Sequence, residues 1–263
     1  MNLQEECVLH TLHIISVDKN NKPEMFGCGC LIFFRNHYFV LTAAHIKKTE
    51  KSKMVLILHN FPFLKAIPNW YIINPTLFKS YKLIFPIIIS KFIIWVNKKL
   101  GCKKDVTNTI IKYNCDIDFA LSEVILPFMP IVCLPINSSY AGRPYKYFNY
   151  ESVKDLNTAD NYYFYGLLVS REPLNNKCEE IFINNMKYIK TKGFYNIFKI
   201  EGDNRNLKGC SGTPILNEKG ELVSLLVKRA SINRHIVYGI NLKKVETALH
   251  IEVNNITGEE IYG

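Results

Sequence analysis

Val40-Leu-Thr-Ala-Ala-His45 runs from a β-branched, apolar segment through three small residues and ends on a histidine. The same texture spreads outward on both sides. Short runs of period two, rich in β-branched and aromatic residues, occupy Cys7 to Val17, Met25 to Phe34, Tyr38 to Thr42 and Met54 to Leu58, and return at Tyr162 to Ser170, Gly193 to Ile200, Leu222 to Val227 and Ile236 to Ile240. Many short strands separated by turns predict an all-β protein of antiparallel sandwiches or barrels. Asp18-Lys-Asn-Asn-Lys-Pro23 and Asn217-Glu-Lys-Gly220 each carry turn chemistry between two such runs and read as hairpins. Helical spacing is confined to the end, where Leu242, Val245, Ala248 and Leu249 follow Asn241, a candidate cap for a short C-terminal helix.

Between about residues 61 and 104 the texture changes. Pro62, Pro68, Pro75 and Pro86 interrupt apolar segments, and Lys98-Lys99 and Lys103-Lys104 close the stretch, which reads as an insertion. Its most apolar part, Leu83 to Val96, is 14 residues long and contains Pro86 and Lys91. A membrane-spanning helix needs roughly 18 or more apolar residues, so no transmembrane span is expected. Extra core under a long loop and an exposed docking surface both fit it.

The chain has 263 residues, 48% of them apolar, enough for one large domain or two small ones and too apolar for global disorder. Formal charge is +10, yet only six of the 33 basic residues are Arg. Abundant Lys beside Ile, Asn, Tyr and Phe reads as codon bias, so a nucleic-acid partner is not expected. The N-terminus carries Glu5 and Glu6 rather than a basic region before an apolar run. With no export signal visible, the eight cysteines are expected as reduced thiols in a cytoplasm. Cys28 and Cys30 form a C-x-C pair without a second pair to complete a metal site, so neither metal nor cofactor is expected.

Three patterns carry chemistry, in chain order: His45 at the end of its strand, Asp116-Ile-Asp118-Phe-Ala-Leu121, and Lys208-Gly-Cys-Ser-Gly-Thr-Pro214. Singly, each has an ordinary structural reading as a surface histidine, a turn acceptor and a glycine turn. Together they supply what acyl transfer by a hydroxyl needs: a nucleophile (Ser211), a base near neutral pKa to take and return its proton (His45), and a carboxylate to hold that base's tautomer (Asp118). Gly209 lets the backbone turn so that the N–H groups of Gly209 and Ser211 can converge on one oxygen as an oxyanion hole. Cys210 is a rival nucleophile and Asp116 a rival acid.

These stretches, with Gly27-Cys-Gly-Cys-Leu-Ile32 upstream of the histidine and Gly220-Glu-Leu-Val-Ser-Leu-Leu226 after the serine, resemble the trypsin/chymotrypsin-like serine peptidases. The resemblance implies two antiparallel β-barrels with an active site between them, His45 and Asp118 on the first and Ser211 on the second. Residues 1–135 would form the first barrel with the 61–104 insertion, 136–150 a linker, and 151–263 the second barrel and C-terminal helix. It implies a serine endopeptidase of bacterial, intracellular type, acting through an acyl-enzyme. The alternative is a catalytically silent member of the fold used as a protein-binding module. Departures are Cys210, where secreted members carry an Asp that pairs with a newly cut N-terminus, Ile46 in place of a bridging Cys, Thr213 in place of a second Gly, and the insertion.

The resemblance also places substrate, a protein or peptide, as an extended strand along Val227 to Arg229. The specificity pocket would fall to Asp203 to Lys208, Val227 to Arg229 and His235 to Ile236. Arg205, Lys208, Lys228, Arg229 and His235 there face one acid, Asp203, which disfavours cleavage after Lys or Arg and leaves acidic or small residues before the scissile bond. The insertion is the available part for gating by a regulatory protein partner.

Overall fold

A computed structural model describes residues 2–20, 22–46, 53–56, 71–73, 79–80, 118–124, 143, 145–169, 178–203, 205–231, 233–246, 249–250 and 253–254. The first half is built from a helix α1 (Leu3–His10) and strands β1 (Leu12–Val17), β2 (Pro23–Phe34), β3 (His37–Thr42), β4 (Lys53–Leu56), β5 (Tyr71–Ile73), β6 (Lys79–Ser80), β7 (Ala120–Val124) and β8 (Tyr147–Asn149). The second is built from β9 (Asn161–Val169), β10 (Cys178–Lys192), β11 (Tyr195–Ile200), β12 (Pro214–Asn217), β13 (Leu222–Arg229) and β14 (Ile236–Asn241).

The six strands of the second half close into an antiparallel barrel in the order β10-β11-β14-β13-β12-β9. The first half forms an eight-stranded sheet, β5-β4-β1-β2-β3-β7-β6, with β8 added beside β2 in parallel, a pairing outside the antiparallel expectation. Most of the expected insertion, including Leu83 to Val96, lies outside the described residues. Its two described pieces, β5 and β6, pair with β4 and β7 and extend this sheet.

Local chemistry accounts for the elements. Asp18 Oδ1 accepts the backbone N–H groups of Asn20 and Lys22 at 2.8 Å each, closing the β1–β2 hairpin. Asn217 does the same for Lys219 and Glu221 at 3.0 Å, with Gly220 at φ +76, in the β12–β13 hairpin. The segment Cys7 to Val17, expected as one strand, divides. Asn2 caps the N–H groups of Gln4 and Glu5, Glu5 and Glu6 occupy the first turn, and α1 runs to His10 before β1 begins. Asn241 does not act as a side-chain cap. It ends β14 with its own N–H on the Phe194 carbonyl, and a 3-10 turn, Leu242–Lys244, follows. Glu246, Leu249, His250, Val253 and Asn254 have helical backbone beyond it.

Two apolar clusters hold the halves. Tyr162, Phe164, Ile183, Phe198, Ile215 and Val223 fill the closed barrel. The larger cluster joins α1 and the first sheet to the outer face of the barrel through Tyr165, Leu216, Leu222, Leu225 and Val227. Strand β13 alternates between them, Val223 and Leu226 inward and Leu222, Leu225 and Val227 outward. That double burial is why Leu222 to Val227 reads as an unbroken apolar run.

Candidate active site

His45 sits in a 3-10 turn, Ala44–Ile46, that continues β3. The antiparallel register of β3 and β7 pairs Thr42 with Ala120, which carries Asp118 alongside this turn. Asp118 binds the histidine twice: Oδ1 accepts the His45 backbone N–H at 2.8 Å, and Oδ2 lies 2.6 Å from Nδ1. A carboxylate there fixes the proton on Nδ1 and leaves the Nε2 lone pair free. Nε2 lies 3.0 Å from Ser211 Oγ. The Ser211 hydroxyl has a second neighbour, the Val227 carbonyl oxygen at 2.9 Å.

Asp116 lies outside the described residues, and Asp118 is the carboxylate on His45. Cys210 is buried, its thiol directed at the Leu167 carbonyl 3.8 Å away, and burial pushes its pKa well above the thiol range. Such a thiol is a poor nucleophile.

Glycines seat the serine turn. Gly212 has φ +87, and a Cβ there would run into the Cys28 carbonyl and lie 2.5 Å from Thr42 Oγ1. Gly209, at φ +102, lies against the Leu167 carbonyl in the same way. On the facing strand a Cβ at Gly27 would lie 3.1 Å from the Ser211 carbonyl and collide with Ile46. Gly27 is thus small where the turn packs on β2, Gly29 is small because the Leu41 carbonyl and Ile14 crowd it, and the Cys28 N–H donates to the Ser211 carbonyl at 2.6 Å. Within the turn, Cys210, Gly212 and Thr213 donate their N–H groups to the carbonyls of Leu207, Leu226 and Cys210. The N–H groups of Gly209 and Ser211 have no acceptor among the described residues.

A cavity of about 490 Å³ opens beside the serine, lined by His45, Asp118, Asn206, Leu207, Lys208, Ser211, Leu226, Val227, Lys228 and Arg229. Of the residues expected to meet substrate, Lys208, Val227, Lys228 and Arg229 line it. Arg205 and His235 do not. The Arg205 guanidinium is paired with Asp203 at 2.8 Å and with Glu179 at 3.3 Å. Burial pushes the Asp203 carboxyl up, but the hydrogen bonds and charge of Arg205, with Arg229 beyond, outweigh it and hold it below its ordinary value. The Arg229 guanidinium binds the carbonyls of Asp203, Arg205 and Arg234, tying together the two loops that flank the cavity. Lys228 Nζ lies 5.2 Å and 5.4 Å from the ring centres of Tyr195 and Tyr238. Asn206 and Leu207 were not singled out from sequence, although they fall inside the expected pocket loop. Among the described residues no group of three His, Cys, Asp or Glu could hold a metal ion, and no helix is long and apolar enough to cross a membrane.

No family model and no curated protein matches the chain. Solved structures do. The human heparin binding protein superposes with a TM-score of 0.54 at 12% identity over 97% of this chain and 94% of that one. GrC gives 0.53 at 13% identity over 95% and 96%. The serine endoprotease from Yersinia pestis gives 0.49 at 12% over 97% and 67%. A closed six-stranded barrel following a sheet that bears the histidine and the acid, with the serine turn clasped between them, is the chymotrypsin/trypsin-like serine-protease fold, and this chain has it.

Proposed function

We propose that the protein is a serine endopeptidase using His45, Asp118 and Ser211. The observation that carries this reading is the unbroken chain of contacts from Asp118 Oδ2 through the imidazole to Ser211 Oγ, 2.6 Å and 3.0 Å. His45 Nε2 takes the Ser211 proton as Oγ attacks the substrate carbonyl, and Asp118 stabilises the imidazolium that forms. The tetrahedral oxyanion is received by the N–H groups of Gly209 and Ser211, a role supported by their lack of an acceptor among the described residues. The imidazolium then protonates the leaving amine, and water, activated by the same base, hydrolyses the acyl-serine.

Substrate is read as an extended peptide along Val227, Lys228 and Arg229, with the residue before the scissile bond in the cavity beside Lys208. The finer architecture belongs to the same reading: the first sheet as the partner barrel within residues 1–135, a linker at 136–150, a second unit at 151–263, and the 61–104 insertion as a gate or a docking site for a regulatory protein. A cytoplasmic setting rests only on the sequence.

A fold shared with a heparin binding protein does not by itself distinguish peptidase from binding module. The triad geometry favours the peptidase. Ser211→Ala abolishes peptide cleavage and labelling by a fluorophosphonate while leaving the thermal transition in place, and Cys210→Ala retains both activities. Loss with Cys210→Ala but not with Ser211→Ala, in folded proteins, overturns the assignment.

A further inference from the structure

Three consecutive peptide units frame the serine turn, and each is held at its carbonyl. The Lys208 carbonyl accepts from Val169 N–H at 3.0 Å, and the Cys210 carbonyl from Thr213 N–H at 3.1 Å. These two units carry the N–H groups of Gly209 and Ser211, which have no acceptor among the described residues. The unit between them, Gly209–Cys210, has its N–H on the Leu207 carbonyl and its own carbonyl on a side chain from the other half of the molecule, the Cys28 thiol, at 3.4 Å.

Cys28 therefore touches the turn twice, by its thiol at Gly209 and by its N–H at the Ser211 carbonyl, 2.6 Å away. Thr42 Oγ1 anchors the Cys28 carbonyl at 2.5 Å, so the strand cannot slide beneath the turn. A thiol has one hydrogen. Placed on Gly209, it leaves the sulfur as acceptor for His13 Nδ1, 3.8 Å away on β1. His13 is buried and neutral, and burial lifts the Cys28 pKa to about 11, with hydrogen bonds from the Thr213 side chain and the Leu167 backbone partly opposing the rise, so the thiol keeps its hydrogen.

We propose that Cys28 is a positioning residue for the oxyanion-binding turn, its thiol orienting the Gly209–Cys210 peptide so that the flanking N–H groups of Gly209 and Ser211 face the reacting oxygen. The proposal rests on the peptidase reading above. It also gives the buried position before the nucleophile a different logic from an acid paired with a cut N-terminus: here the turn is held from the opposite strand.

The test measures, on the full chain, the saturating rate and the half-saturating concentration for Ser211 labelling by a fluorophosphonate in Cys28→Ala, Cys28→Val and Cys28→Ser. Alanine and valine, which lack a donor, slow the saturating rate roughly fivefold to tenfold with half-saturation unchanged. Valine fills the space of the thiol should alanine fail to fold. Serine, which keeps a donor, restores the rate to within about twofold of wild type. Labelling of alanine or valine at the wild-type rate, or a serine variant as slow as they are, overturns the proposal. A wild-type protein that is not labelled at Ser211 refutes the peptidase reading instead. The positioning claim is then decided by amide exchange at Cys210 and Gly212, which accelerates in the donorless variants if it is right and is unchanged if it is wrong.

Discussion

Acid should destabilise this protein through one residue in particular. His13 is 2% exposed, its Nδ1 lies 3.8 Å from the Cys28 sulfur, and its Nε2 has no hydrogen-bond partner among the described residues. The Tyr165 ring is centred 6.0 Å away, and its hydroxyl is likewise buried with no partner among the described residues. Neither the thiol nor the phenol is charged below neutral pH, so neither compensates an imidazolium. Burial accordingly lowers the His13 pKa from 6.5 to about 4. A histidine whose folded pKa is depressed stabilises the native state fully above 6.5 and loses that contribution as pH falls toward 4. At about 1.4 kcal/mol per unit the loss is about 3 kcal/mol, a large share of a typical domain's stability. Urea unfolding of wild type and His13→Asn at intervals from pH 7.5 to 4 isolates it, because His10 and the carboxyl groups titrate in both proteins and cancel in the difference. The wild type should lose stability the more steeply of the two, by about 3 kcal/mol over this range. Parallel curves would mean that His13 is not held neutral by burial.

Other outcomes follow from the same contacts. Gly212→Ala forces a Cβ onto the Cys28 carbonyl at φ +87, so a loss of about 2–4 kcal/mol with near-complete loss of activity is expected; a melting temperature within about 2 °C of wild type would show that the turn can relax. In peptide-library profiling, Lys208 and Arg229 at the cavity should make cleavage after Lys or Arg at least about tenfold slower than after small or acidic residues; robust cleavage after Lys or Arg refutes it. Arg205→Ala should leave that profile unchanged, since its guanidinium is occupied by Asp203 and Glu179, and a shift in preference would return Arg205 to the pocket.

The site was legible because its chemistry is local. His45, Asp118 and Ser211 each sit in a short pattern that retains its meaning without knowledge of the fold, and the structure brings the three within hydrogen-bonding reach. Strand positions were legible where β-branched and aromatic residues run together, as in β3, whose last four residues are all buried, and in β9. β10, the longest strand, went unnoticed because Asn184, Asn185, Lys187, Lys190 and Lys192 break its apolar pattern and its register shifts between Ile183 and Met186. At the N-terminus, Cys7, Val8 and Leu9 read as strand from their side chains, whereas the cap at Asn2 and the acids behind it settle the backbone as helix. The family resemblance puts Arg205 in the pocket loop. Spacing fixes where a Cα lies, but the nearest carboxylates decide where a guanidinium goes, and those come from Asp203 and a strand 26 residues away.

The Val227 carbonyl that shares the Ser211 hydroxyl has a consequence for the enzyme at rest. One hydrogen cannot serve His45 and Val227 at once, and with acceptors at 3.0 Å and 2.9 Å it divides its time between them. While it points at Val227 the serine is idle, its proton parked on a group too weakly basic to remove it. A peptide that donates an N–H to that carbonyl competes with the hydroxyl for it and tips the hydrogen toward the imidazole. Readiness to react is then conferred by the backbone of the molecule to be cut, and a small electrophile with no N–H to offer meets a sleepier serine than a peptide does.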